Sequence, residues 1–353
     1  MQQNIKRKNR KAVLFILLTL AAVLVMAVIC IFTGTANMTF EQMALALLHK
    51  GTPAHQRIIW SIRIPRVIAA VIAGGGLSVS GLIMQTTLNN PMASPSTLGV
   101  SNAAVFGANL SIIAFAGGFL STGSNLENYM TGVNPYSVGL MAFVFSALST
   151  ILILGLCKLK AFSPNAVVLG GIAVGALWTA ATTILQFYAT DVGLSAAVVW
   201  SFGDLGRATY KTNLIMLTAV ALGVGFFQLM SWRFNALLSG EAAAKSMGVR
   251  VELLRFCAML ISSLITALCV SVLGIIGFVG IICPHITKKL LGQDHRFTLP
   301  MSMLSGSLLL LFADTLARSI GNGSALPVGA VTSLLGAPFF IFIILFGKEN
   351  RRC

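Results

Sequence analysis

Residues 6–32 read KRKNRKAVLFILLTLAAVLVMAVICIF. Lys6, Arg7, Lys8, Arg10 and Lys11 precede an unbroken apolar run from Ala12 to Phe32. At 1.5 Å of rise per residue, such a helix crosses a hydrocarbon core of about 30 Å. A secretory signal begins in the same basic way, but its apolar core is only about 7–15 residues and ends at a small-residue cleavage site. The run is therefore read as a retained first membrane span behind an N-terminal tail, residues 1–11.

Runs of the same kind recur along the chain at 67–88, 97–117, 136–157, 165–188, 212–231, 256–275, 278–291, 299–317 and 328–347. With the first they predict an all-α, polytopic membrane protein of about ten transmembrane helices, forming one domain over residues 1–353. The eighth run is short. It follows Gly274, Gly277 and Gly280, which can turn the chain inside the protein, and irregular backbone at that depth must be enclosed by protein or a cavity. Gly74, Gly75, Gly76, Gly81, Gly170, Gly171 and Gly175 predict close backbone approach in a compact, Gly-rich bundle, because packing replaces the hydrophobic drive in lipid.

Composition agrees. The chain is 56% hydrophobic and 9% charged, with net charge +15. A soluble domain carries about 25% charged residues, so this one could not clothe a soluble surface. The basic excess does not spread along a face, as nucleic-acid binding requires. It gathers between the apolar runs. With the N-terminus inside, ten spans put both termini inside, with seventeen basic residues on inner segments and seven on outer ones (Lys50, Arg57, Arg63, Arg66, Arg207, Lys211, Arg318). That asymmetry follows the positive-inside rule. The six cysteines, Cys30, Cys157, Cys257, Cys269, Cys283 and Cys353, show no CxxC or metal-ligand spacing and imply no disulfide framework.

Much chemistry is missing. The sequence has no phosphate-binding G-x-x-x-x-G-K-[ST], no nucleophile elbow and no His pair of metal-ligand spacing. Neither catalytic nor metal-binding residues are assigned. One acid, Asp314, lies clearly within a span, and Arg318 follows at i+4, the spacing of an ordinary helix pair. An ion-coupled carrier would need more buried acids. The path is expected to be apolar or lined by Ser, Thr, Asn and Gln, with energy supplied from elsewhere.

Three features say more. The loop 232–255 is the largest on the inner side. Ser239 can cap a short helix from Gly240 through Glu241, Ala242 and Lys245 to Met247, with Glu241 and Lys245 paired at i,i+4 and Gly248 closing it in the left-handed conformation. A second helix can start over Val249 to Arg255. The pair would form a knob for a partner, the plain alternative being a solvated linker. The turn Asn90-Pro91-Met92-Ala93-Ser94 carries no charge and is fixed by Pro91 and Pro95. It is either a simple connection or a constriction at the inner mouth. Arg63 and Arg66 flank Pro65 at the expected start of the second span, outside and against both the charge bias and the helix dipole. With Arg318 they are expected to meet an external partner, lipid headgroups being the alternative.

Taken together, these stretches resemble the permease subunits of bacterial ATP-binding-cassette importers for iron–siderophore, haem and cobalamin. Arg63-Ile64-Pro65-Arg66 runs into Gly81-Leu82-Ile83-Met84-Gln85, Asn90-Pro91-Met92-Ala93-Ser94-Pro95 and Leu98-Gly99-Val100-Ser101. Gly240-Glu241-Ala242-Ala243 leads to Met247-Gly248-Val249. Gly277-Phe278-Val279-Gly280-Ile281-Ile282-Cys283-Pro284-His285 is followed by Asp294-His295-Arg296, Ala313-Asp314, Ala317-Arg318, Leu326-Pro327-Val328-Gly329 and Gly336-Ala337-Pro338-Phe339-Phe340. Met92, Ser94 and Cys283 depart from the commoner residues of that family, and the coupling stretch has one acid fewer than its usual Gly-Glu-Glu.

The resemblance implies a non-enzymatic transport subunit in the bacterial cytoplasmic membrane, a homodimer around a central path for a metal chelate, most often iron–siderophore. It implies two ATPase subunits that bind the ATP and Mg, with no cofactor in this chain. They would dock on the coupling stretch Ser239, Gly240, Glu241, Ala242, Lys245, Met247 and Gly248. A substrate-binding protein would dock at Arg63, Arg66 and Arg318, with the inner gate at Asn90 to Ser94. The rival readings are an ion-coupled secondary transporter and an intramembrane enzyme.

Overall fold

Pro65 lacks an N–H and its ring crowds the carbonyl four residues back, so a helix can pass through it only by local rearrangement. The chain does this with a wide π turn, Ile58–Arg63, in which Ile64 N–H bonds back to Ile59 O. One continuous helical stretch of 35 residues therefore runs from Pro53 to Thr87. It is about 52 Å long, more than a bilayer core needs. Its most apolar window is 89% buried, which makes it the centre of the bundle. The expected start at residue 67 is corrected: Arg63 and Arg66 lie inside this helix, so a helix N-terminus opposes neither charge.

The structure, a computed structural model, describes residues 2–34, 38–115, 134–158, 163–320 and 326–346. In chain order the helices are α1 Gln2–Phe32, α2 Phe40–Leu47, α3 Pro53–Arg57, α4 Ile64–Thr87, α5 Val100–Asn109, α6 Pro135–Lys158, α7 Pro164–Phe187, α8 Asp191–Ser201, α9 Tyr210–Leu229, α10 Ser231–Leu238, α11 Glu241–Ser246, α12 Val251–Leu273, α13 Val279–Leu291, α14 His295–Ile320 and α15 Val328–Phe346. Among the described residues, seven helical stretches are long and apolar enough to cross a membrane. The other three expected spans are the shorter α5, which a π turn carries on to Phe115, α13 and α15. The basic tail joins α1, since its Gln, Lys and Arg are good helix formers without a breaker. Helix α8 was not foreseen. Lys160, Lys348, Arg351, Arg352 and Cys353 lie outside the described residues.

Small residues bring α4 against its neighbours. A Cβ at Gly74 would strike the carbonyl of Gly306 on α14, and one at Gly81 would strike the carbonyl of Gly280 on α13. Near these crossings Ser78 Oγ donates to Ser302 O at 2.7 Å and Ser307 Oγ donates to Val71 O at 2.7 Å. Interhelical bonds of this type add about 0.6–2 kcal/mol each in a membrane.

The expected break before α13 is present. Gly274 has φ 78° and Phe278 has φ 65°, the second a left-handed conformation rare for a bulky side chain. Gly336 leaves room for the Phe278 ring: a Cβ there would lie 2.5 Å from it. The irregular backbone is satisfied by another irregular segment: Asp204 N–H donates to Leu273 O and Val328 N–H to Gly203 O, both at 2.8 Å. The five described cysteines are free thiols.

Candidate functional site

A groove of about 670 Å³ opens along α7, lined by Ser96, Thr97, Asn102, Thr179 and Thr183 together with small residues. It carries no charge. Gly171 and Gly175 make it possible, because a Cβ at Gly171 would meet Leu98 Cα at 2.8 Å, and one at Gly99 would meet Gly175 Cα at 2.9 Å. The 96–99 turn thus lies directly on α7. Asn102 Nδ2 donates to Gly175 O and Thr179 Oγ1, both at 3.2 Å, and holds the wall together.

The groove's lining starts at Ser96, immediately after the proline-fixed turn. Asn89 is left-handed at φ 45°. Asn90 Oδ1 accepts the Met92 N–H at 2.9 Å, and Ala93 N–H donates to Asn90 O at 3.1 Å. Thr97 Oγ1 donates to Ser94 O at 2.7 Å, while Ser94 N–H donates to Thr97 Oγ1 at 3.1 Å. Ala93 and Ser94 are buried, Pro91 is exposed, and Met92 is 52% exposed at the tip. The result is a stiff loop presenting one flexible apolar side chain.

Beside that turn stand the two short helices of the 232–255 stretch. Their layout corrects the expectation: Ser239 ends α10, Gly240 at φ 100° precedes α11 without a side-chain cap, and the stretch from Val251 onward is the first part of the long α12. The Glu241–Lys245 pair is present at 2.9 Å, Ala242 and Met247 are exposed, and Gly248 has φ 82°. Glu241 also takes Arg255 at 3.0 Å. These cations hold its carboxyl below the ordinary 4.5, chiefly through the Lys245 hydrogen bond; burial opposes next, and the Arg255 charge and hydrogen bond add to the lowering.

Arg255 and Lys288, read from the sequence as loop charges, point inward. Arg255 Nε donates to Thr87 O at 3.4 Å, and Lys288 Nζ to Gln85 Oε1 at 3.1 Å. His295, fully buried, places Nε2 2.9 Å from Thr86 Oγ1 and Nδ1 2.8 Å from Asn235 Oδ1. No functional role was read for these residues. The available signal was an ionisable residue on an otherwise apolar helix, which must face protein.

At the opposite end of α4, Asp314 is fully buried and takes Arg66 at 2.7 Å and Arg318 at 2.9 Å. The i,i+4 pair is therefore real, and Arg66 joins it from another helix. Asp204, half exposed, lies 3.4 Å from Arg66. Arg318 also donates to Thr33 O at 2.7 Å and Cys30 O at 3.0 Å, and Arg63 donates to Ile31 O at 2.9 Å. All three arginines are recessed, at 4–8% exposure. Arg66 Nη2 is buried without a hydrogen-bond partner.

The described residues include no group of three or more His, Cys, Asp or Glu able to hold a metal ion. The geometry is that of a helical bundle with an uncharged groove along α7 and polar clamps at the two ends of α4. Known proteins agree. The sequence model of the FecCD transport family matches residues 20–346. An ABC transporter permease protein of Methanocaldococcus jannaschii is 42% identical over 344 residues, 97% of either chain. The hemin transport system permease protein of Yersinia pestis is 34% identical over 331 residues, 93% of this chain and 96% of that protein. A solved structure described as an inward-facing conformation of a metal-chelate type ABC transporter superposes with a TM-score of 0.80 at 27% identity, covering 94% of this chain and 98% of that one. The chain belongs to the FecCD transport family and is the permease subunit of an ABC importer, not itself an ATPase.

Proposed function

We propose that this chain is one half of a homodimeric permease for a metal chelate, most specifically an iron–siderophore. It would sit in the cytoplasmic membrane with both termini inside. The neutral groove carries the reading. It offers the hydroxyls of α7 and the Asn102 amide, and its lining reaches Ser96, two residues beyond the turn whose tip is Met92. A large chelate passes such a wall through weak contacts, so selectivity belongs to the external binding protein. The similar proteins include permeases named for hemin, Fe(3+)-citrate and vitamin B12.

In this scheme the Asn90–Ser94 turns of two copies meet as the inner gate. The α10–α11 stretch from Ser239 to Gly248 receives an ATPase subunit, which supplies ATP and Mg chemistry from outside this chain. The Arg63, Arg66 and Arg318 recess lies on the outer face. Its guanidiniums outnumber the nearby carboxylates Asp314 and Asp204, so the local field favours an acidic patch on the binding protein. The test is the ligand on the binding protein that co-purifies with the complex. A ferric chelate band with stoichiometric iron is expected. A haem or corrinoid spectrum would overturn the iron–siderophore assignment.

A further inference from the structure

Gln85, Thr86 and Thr87 are the last three residues of α4, and the gate turn follows at once. Successive helical residues point about 100° apart, so the three face different neighbours. Each is gripped there by a polar group from a different helix. Gln85 takes Lys288 of α13 and also donates to Ile281 O at 3.3 Å. Thr86 faces the ring of His295, the first residue of α14. The Thr87 carbonyl faces Arg255 of α12. That carbonyl needs such a donor, because the turn's own amides go to its predecessors: Leu88 N–H to Met84 O, Asn90 N–H to Gln85 O and Asn89 N–H to Thr86 O.

Two of the grips lead outward to the short helices. Arg255 binds Glu241 at the start of α11 with its Nη1 while its Nε faces Thr87. Asn235 of α10 accepts both the backbone N–H of His295 at 2.9 Å and its Nδ1 at 2.8 Å, and Asn235 Nδ2 donates to Asp294 at 2.8 Å. Phe234 of α10 stacks at a tilt against the same ring, centroids 5.8 Å apart. Each short helix is thus one buried side chain away from the final turn of α4.

We infer that Arg255 and His295 are positioning residues that carry displacement of α11 and α10 to Thr87 and Thr86, and so to the gate turn. A rigid, polar-clamped joint suits this. Buried charged or hydrogen-bonded groups have few alternative partners, so the helix end must follow them or lose the bonds. The inference rests on the coupling and gate roles proposed above.

The test uses the complete transporter with its ATPase, reconstituted and carrying Met92→Cys. Two quantities are read: substrate imported per ATP hydrolysed, and the nucleotide dependence of the cross-link between the two copies. For Arg255→Gln combined with His295→Leu, the import ratio should fall at least tenfold and the cross-link should stop following nucleotide. Thr86→Val, which removes only a hydroxyl, serves if the double variant fails to accumulate. It should lower the ratio several-fold, and Arg255→Lys should recover part of what Arg255→Gln loses. A double variant or Thr86→Val protein that keeps the parent ratio and the nucleotide-dependent cross-link overturns the inference while leaving gate and coupling intact. If the parent itself never cross-links in any nucleotide state, the gate reading fails and this inference falls with it.

Discussion

Asp314 holds guanidiniums from two helices, Arg66 of α4 and Arg318 of α14. Removing one member of a buried ion cluster strands the others, at about 3–5 kcal/mol. Asp314→Asn should therefore lower the thermal stability of the detergent-solubilised protein sharply, whereas Asp204→Asn at the exposed rim should not. Asp204→Asn instead raises the positive field of the recess. It should speed association of the binding protein about two- to threefold at low salt, an advantage lost at high ionic strength; unchanged rates at low salt would argue against charge steering. Glu241 gives a pH test. Its carboxyl is held below 4.5 in the folded chain, so the bridge to Lys245 and Arg255 is complete above that value and is lost as pH falls through the depressed one. Amide exchange in α11 should be flat in protection from pH 6 to 8 and should lose protection only below about 4.5. Single-residue chemistry was legible where it is local in sequence, as in Glu241–Lys245 and Asp314–Arg318. Arg255 and His295 were not, because their partners lie on other helices and burial leaves no mark on one sequence beyond an apolar neighbourhood.

Elements were legible where periodicity and breakers agree. Gly248 takes the positive φ that its helix-closing position suggested, and Gly274 turns the chain with a positive φ of its own. Nothing lies within 4 Å of a Cβ at Gly248, so a side chain there is opposed by backbone conformation alone. Gly248→Val should destabilise the α11–α12 junction by about 1 kcal/mol or more, and Gly248→Asn by less, because Asn tolerates that region better. Comparable melting of the two variants would contradict the conformational argument. Gly81 is the opposite case: its Cβ would strike the Gly280 carbonyl, and Gly81→Ala should cost about 1–3 kcal/mol by forcing α4 from α13. The start of the 35-residue central helix was misread at Pro65, since proline at a first turn is common and a π turn that carries a helix through it has no sequence signature. Helix α8 was missed because Asp191–Ser201 is too short to register as a span.

At the scale of the whole chain, hydropathy and charge asymmetry sufficed for a polytopic helical bundle. They could not separate the 35-residue central helix from the shorter peripheral ones, since every run is apolar whether it faces lipid or protein. The burial of α4 follows from its small residues, which allow close contact with both α13 and α14. Around that axis the chain supplies a groove, a turn and two clamped ends, and it has no phosphate-binding loop. Its work must be driven by a partner. The most direct measurement of that claim is uptake into proteoliposomes holding the permease with its ATPase, with loaded binding protein outside. Accumulation should require internal ATP and persist when proton and sodium gradients are collapsed. Uptake that continues without ATP and stops when those gradients are dissipated would contradict the account.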